Sequence, residues 1–186
     1  MYPIIVVGHP RSGTSVVARL LQQRLDIMMN PKVILYGEVN PKGYYEDPVL
    51  VKINVDMMKR WEKGKGFVNK IDPTWAIQFA QYVTYMSTKY KKWGFKEPRM
   101  MGFISWTAQF FKDPTWIYTI RTDKQIIKSQ VNKLGVPFDD AVRGVPAYRY
   151  CIEQHLKDRR HYRIDLKNQR EEDDIVNELK EIMKWQ

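Results

Sequence analysis

Ile4-Ile5-Val6-Val7-Gly8-His9-Pro10-Arg11-Ser12-Gly13-Thr14-Ser15 is the stretch from which the rest of the chain is read. Four apolar β-branched residues in a row show no polar alternation, the pattern of a short strand covered on both faces, as in a parallel sheet. From Thr14 the apolar period changes, and Val16, Val17, Leu20, Leu21 and Leu25 form one helical stripe. Between strand and helix lies a turn punctuated by Gly8, Pro10 and Gly13. Glycine permits turns that other residues resist, and backbone N–H groups at a helix start can converge on an anion. The combination predicts a phosphate-binding loop over residues 8–15, with the Thr14 and Ser15 hydroxyls as further donors.

Outward from this loop, strands and helices alternate to the end of the chain. A second apolar run, Val33-Ile34-Leu35-Tyr36, precedes Gly37-Glu38 and a Pro/Gly-punctuated loop through Gly43. Asp47-Pro48 reads as an N-cap followed by proline at the first helical position, and Asp72-Pro73 repeats the signature. Helices are predicted from these points to about residues 61 and 90. Residues 93–96 predict a strand, 100–111 a helix, 115–120 a strand, and Thr122 or Asp123 opens a helix through Leu134. Residues 139–158 read as helical despite Gly144 and Pro146. A last strand over 162–166 leads to an amphipathic helix carrying Ile175, Val176, Leu179, Ile182 and Met183. Glu171-Glu172-Asp173-Asp174 sits where carboxylates complement a helix N-terminus, a solvated start rather than a metal site. With no repeat or linker in view, the expectation is one α/β domain over residues 1–186. It is a three-layer, P-loop-type domain with a central, mainly parallel sheet flanked by helices.

Composition fits that expectation. At 186 residues, 44% hydrophobic and 28% charged, the chain is long and apolar enough for a core and falls outside the disordered class. A single cysteine, Cys151, excludes an intramolecular disulfide and any multi-cysteine zinc site, and His9, His155 and His161 lack paired-ligand spacing, so no metal is expected. No apolar run reaches the roughly 18–20 residues of a membrane span, and the first residues lack a basic leader, so a cytoplasmic protein is expected. The net charge of +10 favours an anionic ligand. Its lysines and arginines are spread along the chain without zinc-finger or aromatic RNA-binding spacing, so no nucleic acid is expected as partner.

The loop has the spacing of a Walker A motif, yet Thr14 stands where a nucleotide triphosphatase has lysine, and the cation has moved to Arg11. Pro10-Arg11-Ser12-Gly13-Thr14-Ser15 instead resembles the 5′-phosphosulfate loop of sulfotransferases, P-loop-fold enzymes that use 3′-phosphoadenosine 5′-phosphosulfate (PAPS) and release 3′-phosphoadenosine 5′-phosphate (PAP). In that family an arginine ending a core strand and a serine eight residues on hold the 3′-phosphate; Arg121 and Ser129 match this spacing. Trp93-Gly94-Phe95-Lys96-Glu97-Pro98-Arg99 resembles the Lys-Asp-Pro-Arg segment of bacterial and tyrosylprotein sulfotransferases, with Glu for Asp, which implies that Lys96 approaches the transferring sulfuryl group.

Gly37-Glu38 resembles the segment holding the catalytic carboxylate of tyrosylprotein sulfotransferases, and Asn40-Pro41-Lys42-Gly43-Tyr44-Tyr45-Glu46 resembles an Asn…Gly-aromatic-Glu stretch of bacterial members. Glu38 and Glu46 are both candidates for the general base, with Glu38 favoured. The Arg-Lys-Gly motif that completes the cofactor site in cytosolic sulfotransferases is not visible, and the chain is short for the family. The resemblance implies in-line sulfuryl transfer to a hydroxyl or amine acceptor, such as a carbohydrate. Arg11, Lys96 and Glu38 would carry the chemistry, and residues 10–15 with Arg121 and Ser129 the cofactor. The alternatives are a P-loop nucleotide kinase, which Thr14 argues against, and a non-catalytic anion or nucleic-acid binder on the same fold.

Overall fold

The computed structural model describes residues 3–30, 42–62, 73–168 and 170–184. At its centre β1, Ile4–Val7, is buried along its whole length. It pairs on one flank with β2, Gly94–Lys96, where Ile5 faces Phe95, and on the other with β3, Thr115–Ile120, where Ile5 faces Trp116. β4, His161–Asp165, continues the sheet beyond β3. The order is β2-β1-β3-β4 and every pairing is parallel, as the unbroken apolar character of the first strand predicts.

Successive side chains of a strand point to opposite faces, and that alternation sorts two cores. Ile4, Val6 and Ile117 meet Val17, Leu20 and Leu21 of α1, Thr14–Leu25, and Ile175, Val176 and Leu179 of α7, Glu172–Met183. Ile5, Val7, Trp116 and Tyr118 meet the opposite layer: Leu50, Ile53 and Met57 of α2, Pro48–Glu62; Phe79 and Met86 of α3, Pro73–Lys89; Ile152 and Leu156 of α6, Phe138–Leu156. The first core is mainly aliphatic. In the second, Phe79 lies edge-on to Phe95, Phe110 and Phe111, so aromatics concentrated in the middle of the sequence fill the larger space under α3. Sheet and two helical layers give the expected three-layer architecture.

Most predicted boundaries recur. Asp47 Oδ1 accepts the Val49 N–H at 2.8 Å, and Thr122 with Gln125 forms a capping box at the start of α5, Asp123–Leu134. The acidic start of α7 meets α1, through Arg19–Glu172 at 2.6 Å and Arg24–Asp173 at 2.7 Å. One element differs. The helix expected over 100–111 is a 3-10 helix, Pro98–Phe103, followed by the short α4, Ile104–Ala108. Glu97 caps the Arg99 N–H, Pro98 sits at the first position, and the Met100 N–H bonds the Glu97 carbonyl three residues back, which winds the turn tightly. The apolar run 33–36 and Asp72 lie outside the described residues.

Candidate active site

Because the strands are parallel, β1, β2 and β3 release the chain at one edge of the sheet, into residues 8–13, 97–99 and 121–122. β1 is also where the strand order reverses, since β2 lies on one side of it and β3 on the other. In open α/β sheets ligands bind in the crevice outside the carboxyl ends at such a point.

The first of these segments is the predicted loop. Gly8 packs so closely on β3 that an added Cβ would lie 2.3 Å from Thr119 Oγ1 and 2.5 Å from Ser12 Oγ. Those two hydroxyls share a 2.7 Å hydrogen bond, so Ser12 anchors the loop from beneath. Arg11 and Gly13 take left-handed φ values of 79° and 100°, which turns the backbone sharply into α1. No side chain caps α1 and its first turn holds no acidic residue, which leaves the leading N–H groups and the positive end of the helix to a ligand. His9 packs on Tyr148 of α6, ring centroids 4.5 Å apart, and its Nδ1 donates to the Pro10 carbonyl at 2.6 Å. Burial pushes its pKa below the ordinary value, so the ring is a neutral rivet for the loop.

On the β3 side, Arg11 Nε donates to Ser129 Oγ at 2.9 Å, and Arg121 donates to the Arg11 carbonyl at 3.4 Å. Arg11, Arg121 and Ser129, predicted to share the cofactor, therefore meet. The Nε of Arg121 is buried with no hydrogen-bond partner, and burial together with the Arg11 charge pulls its pKa below the ordinary value. Sequence reasoning missed Arg149 of α6, which donates to the Arg121 carbonyl at 2.8 Å and forms an ion pair with Asp123. Nothing in its spacing from the other site residues marks it, because the contact arises only when α6 packs on α5.

The β2 side is built differently. Lys96 is 1% exposed, and its Nζ lies 2.5 Å from Glu46 Oε1. The other Glu46 oxygen accepts from Arg99 at 3.0 and 3.2 Å, and Arg99 also meets Glu97 at 2.6 Å. Burial acts to raise the Glu46 pKa, but Lys96 and Arg99 outweigh it and hold the carboxyl below the ordinary range. Burial pushes Glu97 up. The segment bearing Glu46 is pinned to the α1 side: Ser15 donates to the Tyr44 carbonyl, Gln23 to the Tyr45 hydroxyl and Asn30 to the Glu46 carbonyl.

Between the loop and this cluster lies a cleft of about 270 Å³, with Pro10, Arg11, Thr14 and Ser15 on one wall and Glu46, Lys96 and Arg99 on the other. Ser12 and Gly13 support the loop from below, Gly13 against Leu166. Glu38 lies outside the described residues. Among the described residues no group of three or more His, Cys, Asp or Glu side chains gathers as metal ligands would, and no helix is long and apolar enough to cross a membrane.

No curated protein matches this sequence. Several solved structures resemble it. TT1252 from Thermus thermophilus is 13% identical, with a TM-score of 0.55 over 98% of this chain and 97% of that one. Shikimate kinase from Acinetobacter baumannii is 10% identical, TM-score 0.58, over 98% and 93%. Deoxyadenosine kinase from M. mycoides is 10% identical, TM-score 0.56, over 98% and 99%. At such identities the likeness is one of fold, and it agrees with a P-loop-type sheet. The sequence itself goes further, for the model of the sulfotransferase family matches residues 3–163, a span that takes in the loop, Lys96, Arg121 and Ser129, and the chain belongs to that family.

Proposed function

We propose that this single domain, residues 1–186, transfers a sulfuryl group from PAPS to a hydroxyl or amine acceptor by in-line displacement. The observation that carries the reading is the pair Arg11 and Arg121, brought together at the carboxyl ends of β1 and β3 with no carboxylate partner among the described residues. Two neighbouring cations held without counter-ions fit a ligand with more than one anionic group. The orphaned Arg121 Nε, the uncapped start of α1 and the glycine-tight loop all suit phosphate and phosphosulfate oxygens.

In this reading residues 10–15 hold the 5′ end of the cofactor and Arg121 with Ser129 its 3′-phosphate. Ser129 accepts from Arg11, and its own hydroxyl proton stays free to donate to a phosphate oxygen. When bound, PAPS supplies a sulfuryl group that leaves a phosphate oxygen for the acceptor atom in line. Arg11 and Lys96 meet the negative charge that gathers on the leaving side. A carboxylate takes the acceptor's proton. Glu46 has both oxygens engaged by cations, so Glu38 is retained for that role. Thr14 at the Walker lysine position speaks against a kinase.

Calorimetric titration with PAP, on wild type and Arg121→Ala, tests the proposal with ATP as the comparison ligand. Tight PAP binding that the substitution weakens, with ATP much poorer, is the expected result. Absence of PAP binding by folded wild type, or preference for ATP, would overturn it.

A further inference from the structure

We propose that Glu46 is a positioning residue for Lys96: held by Arg99 on one carboxylate oxygen, it keeps the Lys96 ammonium charged and fixed in the cleft wall that faces the phosphate loop. The functional weight of this inference rests on the sulfotransferase reading, while the pairing itself does not.

A lysine 1% exposed at the end of a buried strand loses its hydration, and without compensation such a group gives up its proton. Among the described residues the hydrogen-bonding compensation is one oxygen, Glu46 Oε1 at 2.5 Å. That oxygen is itself held in place. Glu46 Oε2 takes both terminal nitrogens of Arg99, and Arg99 is clamped by Glu97, which accepts from its guanidinium at 2.6 Å and its backbone N–H at 2.9 Å. The Asn30 amide secures the Glu46 backbone from α1's side of the sheet. Four side chains thus run in series, Glu97, Arg99, Glu46 and Lys96, and the series ends at Lys96 in the cleft wall.

Charge supports the same assignment. Lys96 faces Glu46 from the segment before α2, and Glu97 and Arg99 from its own side. Across the cleft stands Arg11. Tyr148 of α6 closes the cluster by donating to the Pro98 carbonyl. Two carboxylates balance two cations within the cluster. With Glu46 neutralised, Lys96 would stand buried beside Arg99 and opposite Arg11 with its nearest counter-ion gone. A general base gains nothing from having both oxygens bound by cations, so the geometry separates this role from proton removal.

The test follows Lys96 directly. The full chain is labelled with ¹³Cε-lysine, the Lys96 signal is assigned by its loss in Lys96→Met, and its titration is followed through the neutral and alkaline range. In Glu46→Gln the midpoint falls by roughly one pH unit or more, the scale of losing an adjacent counter-ion. In Glu46→Asp, which keeps the charge on a shorter arm, it falls by less. An unchanged Lys96 midpoint in Glu46→Gln overturns the proposal; should that variant not fold, an unchanged midpoint in Glu46→Asp does so. PAP binding is measured on the same samples. Wild type that fails to bind PAP while Lys96 titrates as expected would sink the sulfotransferase reading and leave the pairing standing.

Discussion

On the β3 side of the loop, Arg11 gives its Nε to a serine hydroxyl and, among the described residues, Arg121 reaches a backbone carbonyl and no carboxylate. On the β2 side, Lys96 meets Glu46 at 2.5 Å and Arg99 meets Glu97 at 2.6 Å. The same residue types therefore carry opposite burdens on the two sides of the loop. Paired cations belong to the protein's own cohesion, and removing one strands a buried carboxylate. Unpaired cations repel each other and suit a counter-charge brought by a ligand. Counting arginines and lysines in the sequence cannot tell the two kinds apart, since only the fold decides which of them meet carboxylates.

Substitutions that exchange the two behaviours put this contrast at risk. The largest effect is expected from Lys96→Met, which leaves Glu46 without its closest counter-ion; unfolding by denaturant should show a loss of about 3–5 kcal/mol, the usual result of breaking a buried pair. Arg121→Ala should leave stability within about 0.5 kcal/mol, because it removes a repulsion with Arg11. The same substitution should weaken PAP binding roughly 10- to 150-fold, the equivalent of ~1.5–3 kcal/mol for a hydrogen bond to a charged group. If Arg121→Ala were the more destabilising of the two, the division between paired and unpaired cations would fail. Ser129→Ala removes the hydroxyl that steers Arg11, and calorimetry should record about a three- to tenfold loss of PAP affinity.

The smallest effect concerns acid. Burial raises the Glu46 pKa, but Lys96 and Arg99 pull it below its ordinary 4.5, so the stability it contributes is complete above that value and disappears as pH falls through the lowered one. Glu97, pushed up by burial, has the reverse sign: it favours the folded chain at low pH and loses that contribution as pH rises through its raised value. Melting temperatures across the acid range should therefore fall less steeply for Glu46→Gln than for wild type, and more steeply for Glu97→Gln.

Much of the fold could be read from local pattern. β1, the loop and α1 follow from a change of apolar period at Thr14, and the caps at Asp47 and Thr122 mark their helices because a short polar side chain there has a specific N–H to accept. The 3-10 turn at Pro98 was hidden, since the apolar residues after it suit either winding and the Glu97 cap decides between them. At the site, the loop and the Arg121–Ser129 spacing were legible as motifs. The Glu46–Lys96 pair was not, because fifty residues separate the partners and only the pairing of β2 beside β1 closes the gap. Arg149 was hidden for the same reason, its helix interrupted in pattern by Gly144 and Pro146 although the structure carries it straight through.

Gly13 starts α1 with an ideal Cβ position only 2.4 Å from a methyl of Leu166, the residue after β4. The stretch by which the family is recognised stops at residue 163, inside that strand. The floor of the loop between β1 and α1 is thus laid by a part of the chain outside the matched span, and so is the α7 face that covers Val17 and Leu21. Relatives can diverge beyond residue 163 and still be recognised as kin, yet any change in bulk at position 166 is transmitted to the entry of the loop. If the loop binds an anion as proposed, drift beyond residue 163 is in this architecture a means of retuning that affinity without touching a single residue of the motif.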